Sequence, residues 1–209
     1  MKRAYWLTSA LAALALVFMA LAYWGRWISH PAAGLNILGV DLPEYVKFVP
    51  EVRYGVIPLN RLLFFGPPAA LSAGLILVAS MQRRLHVALR ILAGVLAAPA
   101  ALSMLPPAWT PGVLMTPEFR TQTLLIMALA GSAFLIPLWK AMIPDWLRGG
   151  LFILLALLNI PAIRAFHALL PALEKLYNKP LAAGPGLLFL YIGMGLMMMA
   201  GVLLMIGRR

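Results

Sequence analysis

Residues 144–177 read PDWLRGGLFILLALLNIPAIRAFHALLPALEKLY, an apolar segment that gathers nearly every unusual polar group of the chain. A continuous helix over 146–177 would be about 48 Å long at about 1.5 Å per residue. A bilayer's hydrocarbon core is only about 30 Å thick, so such a helix is expected to tilt, kink or protrude. Pro161 is the expected kink, because it has no N–H for the Leu157 carbonyl and its ring crowds that turn.

The rest of the chain has the same character. It is 63% hydrophobic and 11% charged, where soluble domains have about 45–50% and about 25%. A water-soluble fold of this size has no interior large enough for that surface, so the surplus is expected to face lipid. There are no cysteines, which removes disulfides, thiolate catalysis and thiolate metal sites. The net charge is +11, yet the basic residues sit at the ends of apolar runs rather than in a stripe or tail. That pattern is expected of membrane topology and argues against nucleic acid as a partner.

The expectation is therefore an all-α polytopic bundle, one integral membrane domain over residues 1–209, with six spans near 5–24, 62–80, 87–105, 121–139, 147–170 and 187–206. Met1-Lys2-Arg3 before an apolar run, with Ala20-Leu21-Ala22 beyond, resembles a secretory signal peptide. The run from Ala4 to Trp24 is long enough to cross, so we read it as the first helix. Lys and Arg divide nine against eight between the two sides. The nine crowd very short connections and include Arg83, Arg84, Lys140, Arg148, Arg208 and Arg209. The eight, among them Lys47, Arg61 and Arg164, are diluted through longer loops. Density thus places both termini in the cytoplasm of a bacterial-type inner membrane. Trp6, Trp139 and Trp146 fall at the expected inner ends, and Trp24, Trp27 and Trp109 at the outer ends, as indoles prefer.

Local signals add detail. In the long outer loop 25–60, Asp41 and Glu44 have capping-box spacing with Pro43 in the first turn. Leu42, Tyr45, Val46 and Val49 follow at helical spacing and predict a short amphipathic helix, either packed on the chain's own helices or serving as a lid or docking element. Thr116-Pro117-Glu118 reads as the start of the fourth helix. Asp145 is expected to cap the fifth or to pair with Arg148. In the sixth span, Gly193, Met197 and Gly201 share a face that admits another helix closely, expected to lie within this chain.

Chemistry has one candidate. Arg164, His167, Pro171 and Glu174 fall within about 80° on the fifth helix, and an ionisable stripe on a membrane helix usually faces protein or a watery cavity. Read functionally, Arg164, His167 and Glu174 form an ion or anionic-substrate site at the outer mouth. Arg164 lies about 24 Å along the helix from Arg148, near the edge of the hydrocarbon, so it can also simply snorkel to water. Asn159 is deeper and points elsewhere, as an interhelical hydrogen-bonding group. His30, His86 and His167 lie at different depths and make no haem or metal set. No nucleotide-binding glycine loop or paired-acid motif is present.

The leading expectation is thus a non-catalytic membrane subunit of a larger complex, without cofactor or metal, serving as scaffold or helix-packing partner of other membrane subunits. The alternative is a permease or substrate-binding component of a small-solute transporter. In outline it resembles the vitamin-binding components of energy-coupling-factor transporters, although the short inner loops leave little room for an ATPase-coupling helix. A lipid-active enzyme using Glu44, Glu51 or Glu174 as base is least favoured, because no nucleophile or metal partner accompanies them.

Overall fold

The computed structural model describes residues 2–30, 36–81 and 86–206, with side chains from residue 6 onward. The expected basic turn at Arg83-Arg84 and the anchors Arg208 and Arg209 lie outside the described residues. The chain is mostly helical. Its elements are α1 (Lys2–Trp24), a hairpin of β1 (Arg26–Ile28) and β2 (Ile37–Leu38), α2 (Leu42–Tyr45), α3 (Pro50–Arg53), α4 (Gly66–Ser80), α5 (Val87–Leu102), α6 (Pro111–Leu114), α7 (Arg120–Phe134), α8 (Ile136–Met142), α9 (Asp145–Leu157), α10 (Ile160–Tyr177) and α11 (Pro185–Ile206). Among the described residues four helical stretches are long and apolar enough to cross a membrane, or five if the bent α7–α8 pair counts as one.

One of the expected continuous spans is sharply broken, and another is interrupted by a turn. Residues 121–139 split at Leu135, where α7 and α8 meet at 75°. Pro137 explains the break: in the first turn of α8 it has no N–H to continue the α7 ladder. The fifth segment stays one apolar stretch over 145–177, with a turn at Leu158–Asn159 beside the expected kink, and Pro161 stands in the first turn of α10. The proline accounts for the interruption, because its missing donor falls at a helix start. The third helix is shorter than expected and ends at Leu102; the chain turns through Ser103 and Met104 before Pro106-Pro107.

The helices run up and down. At one end Gly149 of α9 meets Gly201 of α11, and Arg148 reaches Ser80 and Lys140 at the ends of α4 and α8. At the other end the Tyr23 hydroxyl donates to the Ser103 carbonyl, joining α1 to the turn after α5 (3.1 Å). The centre is filled: Met19, Phe152, Ala156, Leu190, Met197 and Leu204 are each fully buried. The expected close-packing face lies inside the chain. A Cβ on Gly193 would stand 3.2 Å from the Met19 backbone nitrogen, and one on Gly201 would stand 2.7 Å from the Gly149 carbonyl oxygen.

At the Trp24 end, the segment between α1 and α4 and the side of α10 that carries Phe166 and Tyr177 build a cap. Trp27 is its hub. Its ring meets Phe64 and Phe166 edge-on at 6.3 and 5.2 Å, its indole N–H donates to the Ala22 carbonyl (2.8 Å), and its own carbonyl accepts from Gly184 N (2.7 Å). Asn178, in the left-handed conformation at φ 51°, closes α10 and turns the chain back toward Ile28, which bridges to Ala183.

Candidate functional site

The amphipathic loop segment buries the side chains its spacing picks out, but as three short turns instead of one helix. A 3₁₀ turn at Val46–Phe48 separates α2 from α3, and Pro50 restarts the helix. Leu42, Val46 and Val49 are buried in the main core, and Tyr45 shares a hydroxyl–hydroxyl hydrogen bond with Tyr177 of α10 (2.9 Å). The expected capping box does not form. Asp41 has helical backbone angles and makes no capping bond; its Oδ2 accepts from Leu38 N at 3.4 Å. Glu44 is drawn off by cations, which outbid a neutral backbone N–H for a carboxylate.

Those cations form a clamp. Arg61 donates to Glu44 (2.8 Å) and to the Glu118 carbonyl oxygen (2.9 Å), while Lys47 pairs with both Glu44 and the Glu118 carboxylate (2.8 Å to the latter). The Phe119 ring lies under both, 4.7 Å from the Arg61 guanidinium and 5.2 Å from the Lys47 ammonium. Burial pulls the Lys47 pKa down, but the bonds to Glu118 and Glu44 outweigh it and hold the amine above its ordinary value. Glu118 is held below the usual carboxylate range by its bond from Lys47. This pairing also corrects the expected helix start at Thr116-Pro117-Glu118. Thr116 Oγ1 donates back to the Val113 carbonyl and the helix begins at Arg120, leaving Glu118 in the turn where it reaches Lys47.

The structure does not bring the three residues of the expected polar cluster together: two take different neighbours and the third faces a groove. Glu174 accepts from Leu181 N (3.0 Å) and fixes the return strand. His167 Nε2 lies 3.3 Å from the Tyr191 hydroxyl of α11. Arg164, exposed, lines a groove of about 370 Å³ between α10 and the chain that enters α4, with Ile57, Pro58, Leu59, Leu63, Ile160 and Pro161. Asn159 is buried and bonds within its own helix, donating to the Leu155 carbonyl (2.8 Å); its Oδ1 has no protein partner.

Two other cavities escaped the sequence reading. One, of about 330 Å³, lies where the cap meets α1 and α7 and is lined by Tyr23, Asp41, Glu44, Tyr45, Phe65 and Gln122, among others. Gln122 is 1% exposed; its amide nitrogen donates to the Met104 carbonyl, and its Oε1 has no protein partner. Acceptors thus dominate the polar lining. The second, of about 360 Å³, is a lateral groove between α1, α4 and α5, lined entirely by apolar side chains including Leu16, Val17, Leu75, Leu92 and Ala93. Sparse local signal explains both misses: an isolated Gln and scattered alanines carry no motif, and only packing brings them together. Among the described residues no three His, Asp or Glu gather where a metal ion would need them.

Comparison with known proteins found no family model, curated protein or solved structure that matches this chain.

Proposed function

We propose that the chain crosses the bilayer six times with both termini in the cytoplasm and serves as a non-catalytic scaffold subunit of a larger membrane complex. The observation that carries this reading is the lateral groove. The bundle centre is packed solid with Met19, Phe152, Met197 and Leu190, whereas about 360 Å³ of wholly apolar space opens sideways between α1, α4 and α5. Its alanines, Ala13, Ala93 and Ala100, allow another helix to approach, as small residues do between membrane helices. The occupant is a transmembrane helix of a partner subunit. The clamped cap suits a fixed scaffold, since Lys47 and Arg61 tie the first long connection to the turn before α7.

The native chain has no cysteine, so single-cysteine crosslinking in membranes tests the idea cleanly. Leu92→Cys in the groove should capture a partner chain, and Leu154→Cys on an exposed face of α9 should not. A lone monomer after mild-detergent extraction, with no crosslink from Leu92→Cys, overturns the proposal. Reporter fusions at Met1 and Arg209 on opposite sides of the membrane overturn the topology.

A second reading, the substrate-binding membrane component of a small-solute transporter, is favoured by the acceptor-lined cavity beneath the cap, with Asp41, Glu44 and Gln122. Specific binding of a small hydrogen-bond donor that Gln122→Leu abolishes would select it over the scaffold.

A further inference from the structure

The groove beside Arg164 combines three observations that point to one kind of ligand. The first is charge. Lys47, Arg61, Arg148 and Lys175 each have a carboxylate within ion-pair distance. Arg164 makes no ion pair or hydrogen bond among the described residues and is exposed. Arg26, Arg53, Arg120 and Lys179 are likewise exposed with no ion pair among the described residues, so what sets Arg164 apart is that it stands in an apolar groove.

The second is shape. Apart from Arg164 the groove is lined by apolar side chains, among them Ile57, Pro58, Leu63 and Ile160. Below it, Leu157, Ile160 and Pro161 precede Arg164 at the i, i+3, i+4, i+7 spacing of a single helical face, and all four are exposed. A cation therefore stands at the head of an apolar track. A soluble anion has no use for such a track, whereas an amphiphile does.

The third is depth. Gly149 meets Gly201, and Met19 meets Gly193. Counting about 1.5 Å per residue from these crossings puts Arg164 about 22 Å, and Trp24 about 20 Å, from the Gly149 level. Arg164 therefore lies level with an exposed tryptophan, where indoles mark the headgroup region.

We propose that Arg164 and this groove bind an anionic phospholipid from the leaflet at the Trp24 end, with its phosphate on the guanidinium and an acyl chain along Ile160, Pro161 and Leu157. Arginine suits the task because its planar fork meets two phosphate oxygens at once. The inference rests on the membrane reading above, but not on the scaffold role.

The test is native mass spectrometry of the detergent-purified chain, given equal amounts of phosphatidylglycerol and phosphatidylcholine. The wild type should retain phosphatidylglycerol several-fold more strongly. Arg164→Gln should lose that preference, Arg164→Lys should keep part of it, and Lys179→Gln, an exposed cation away from the groove, should leave it intact. Ala168→Phe, which fills the groove, should weaken retention of both lipids. Equal retention by wild type and Arg164→Gln, or equal loss in Lys179→Gln, overturns the site. Displacement of the adduct by comparable concentrations of glycerol phosphate makes it a soluble-phosphate site and likewise overturns the lipid assignment. A wild-type chain that shows no preference between the two lipids but still needs detergent to stay dispersed sinks this inference alone. A chain that stays dispersed without amphiphile sinks the membrane reading with it.

Discussion

The Arg148 guanidinium lies 3.3 Å from the Ser80 carbonyl oxygen, so the first turn of α9 closes the last turn of α4. The same side chain reaches Ser80 Oγ, the Lys140 carbonyl and, at 2.9 Å, Asp145. A helix C-terminus offers unpaired carbonyls and a partial negative charge, and a buried arginine meets both needs. Arg148→Met should destabilise the fold by about 2 kcal/mol, the scale of hydrogen bonds to a charged group. Arg148→Lys, a point charge with no fork, should recover only part of this. Reversible unfolding in mixed micelles measures the difference; an unchanged midpoint for Arg148→Met would show that this clamp is idle.

Gly201→Ala should loosen α9 from α11. The added Cβ would stand 2.7 Å from the Gly149 carbonyl oxygen and 2.8 Å from Ile153 Cγ1, and a backbone oxygen has little freedom to move aside. Overpacking of this kind costs about 1–3 kcal/mol. Gly195, six residues earlier on α11, has nothing within 4 Å of such a Cβ, so Gly195→Ala should be tolerated. Parallel thermal-stability assays of the two variants in detergent decide this, and equal behaviour would contradict the packing.

Trp27→Ala should open the cap, because it removes a ring wedged between Phe64 and Phe166. Large-to-small changes of this kind cost about 3–5 kcal/mol. Trp27→Phe should cost less but still leave the Ala22 carbonyl without its indole donor. Limited proteolysis within 42–57 reports the opening. Protection equal to wild type in Trp27→Ala would remove Trp27 from its place as hub.

The clamp should depend on pH at both extremes. Glu118 has a folded-state pKa below its unfolded value, held there by Lys47, so its contribution is present above the ordinary carboxylate pKa of about 4.3 and fades as pH falls through the lowered value. Lys47 is shifted upward, so its contribution is present below its unfolded pKa of about 10.4 and fades as pH rises through the raised value. Protection of residues 42–53 against hydrogen exchange, relative to the intrinsic rate at each pH, should therefore be flat from about pH 5 to about pH 10 and should fall outside that window. Glu118→Gln should abolish the Glu118 part of the acid limb; an acid limb unchanged in that variant would remove Glu118 from the clamp.

What the linear chain determined was what depends on composition and short spacing. Apolar length is a local property, and the helices α1, α4, α9–α10 and α11 follow from it. So does the Asp145–Arg148 pair, whose partners lie one helical turn apart, and so does the burial of Leu42, Val46 and Val49, which spacing alone places on one side. What only the tertiary structure decided was the choice among distant partners. Arg61 rather than a backbone N–H takes Glu44. Glu174 turns to Leu181, His167 turns to Tyr191 and Arg164 faces a groove, so a stripe that looks like one site on a helical wheel is dispersed. The reason is physical: burial from water can be summed residue by residue along a segment, whereas a hydrogen bond or a groove exists only once two remote pieces of backbone have been brought within a few ångströms.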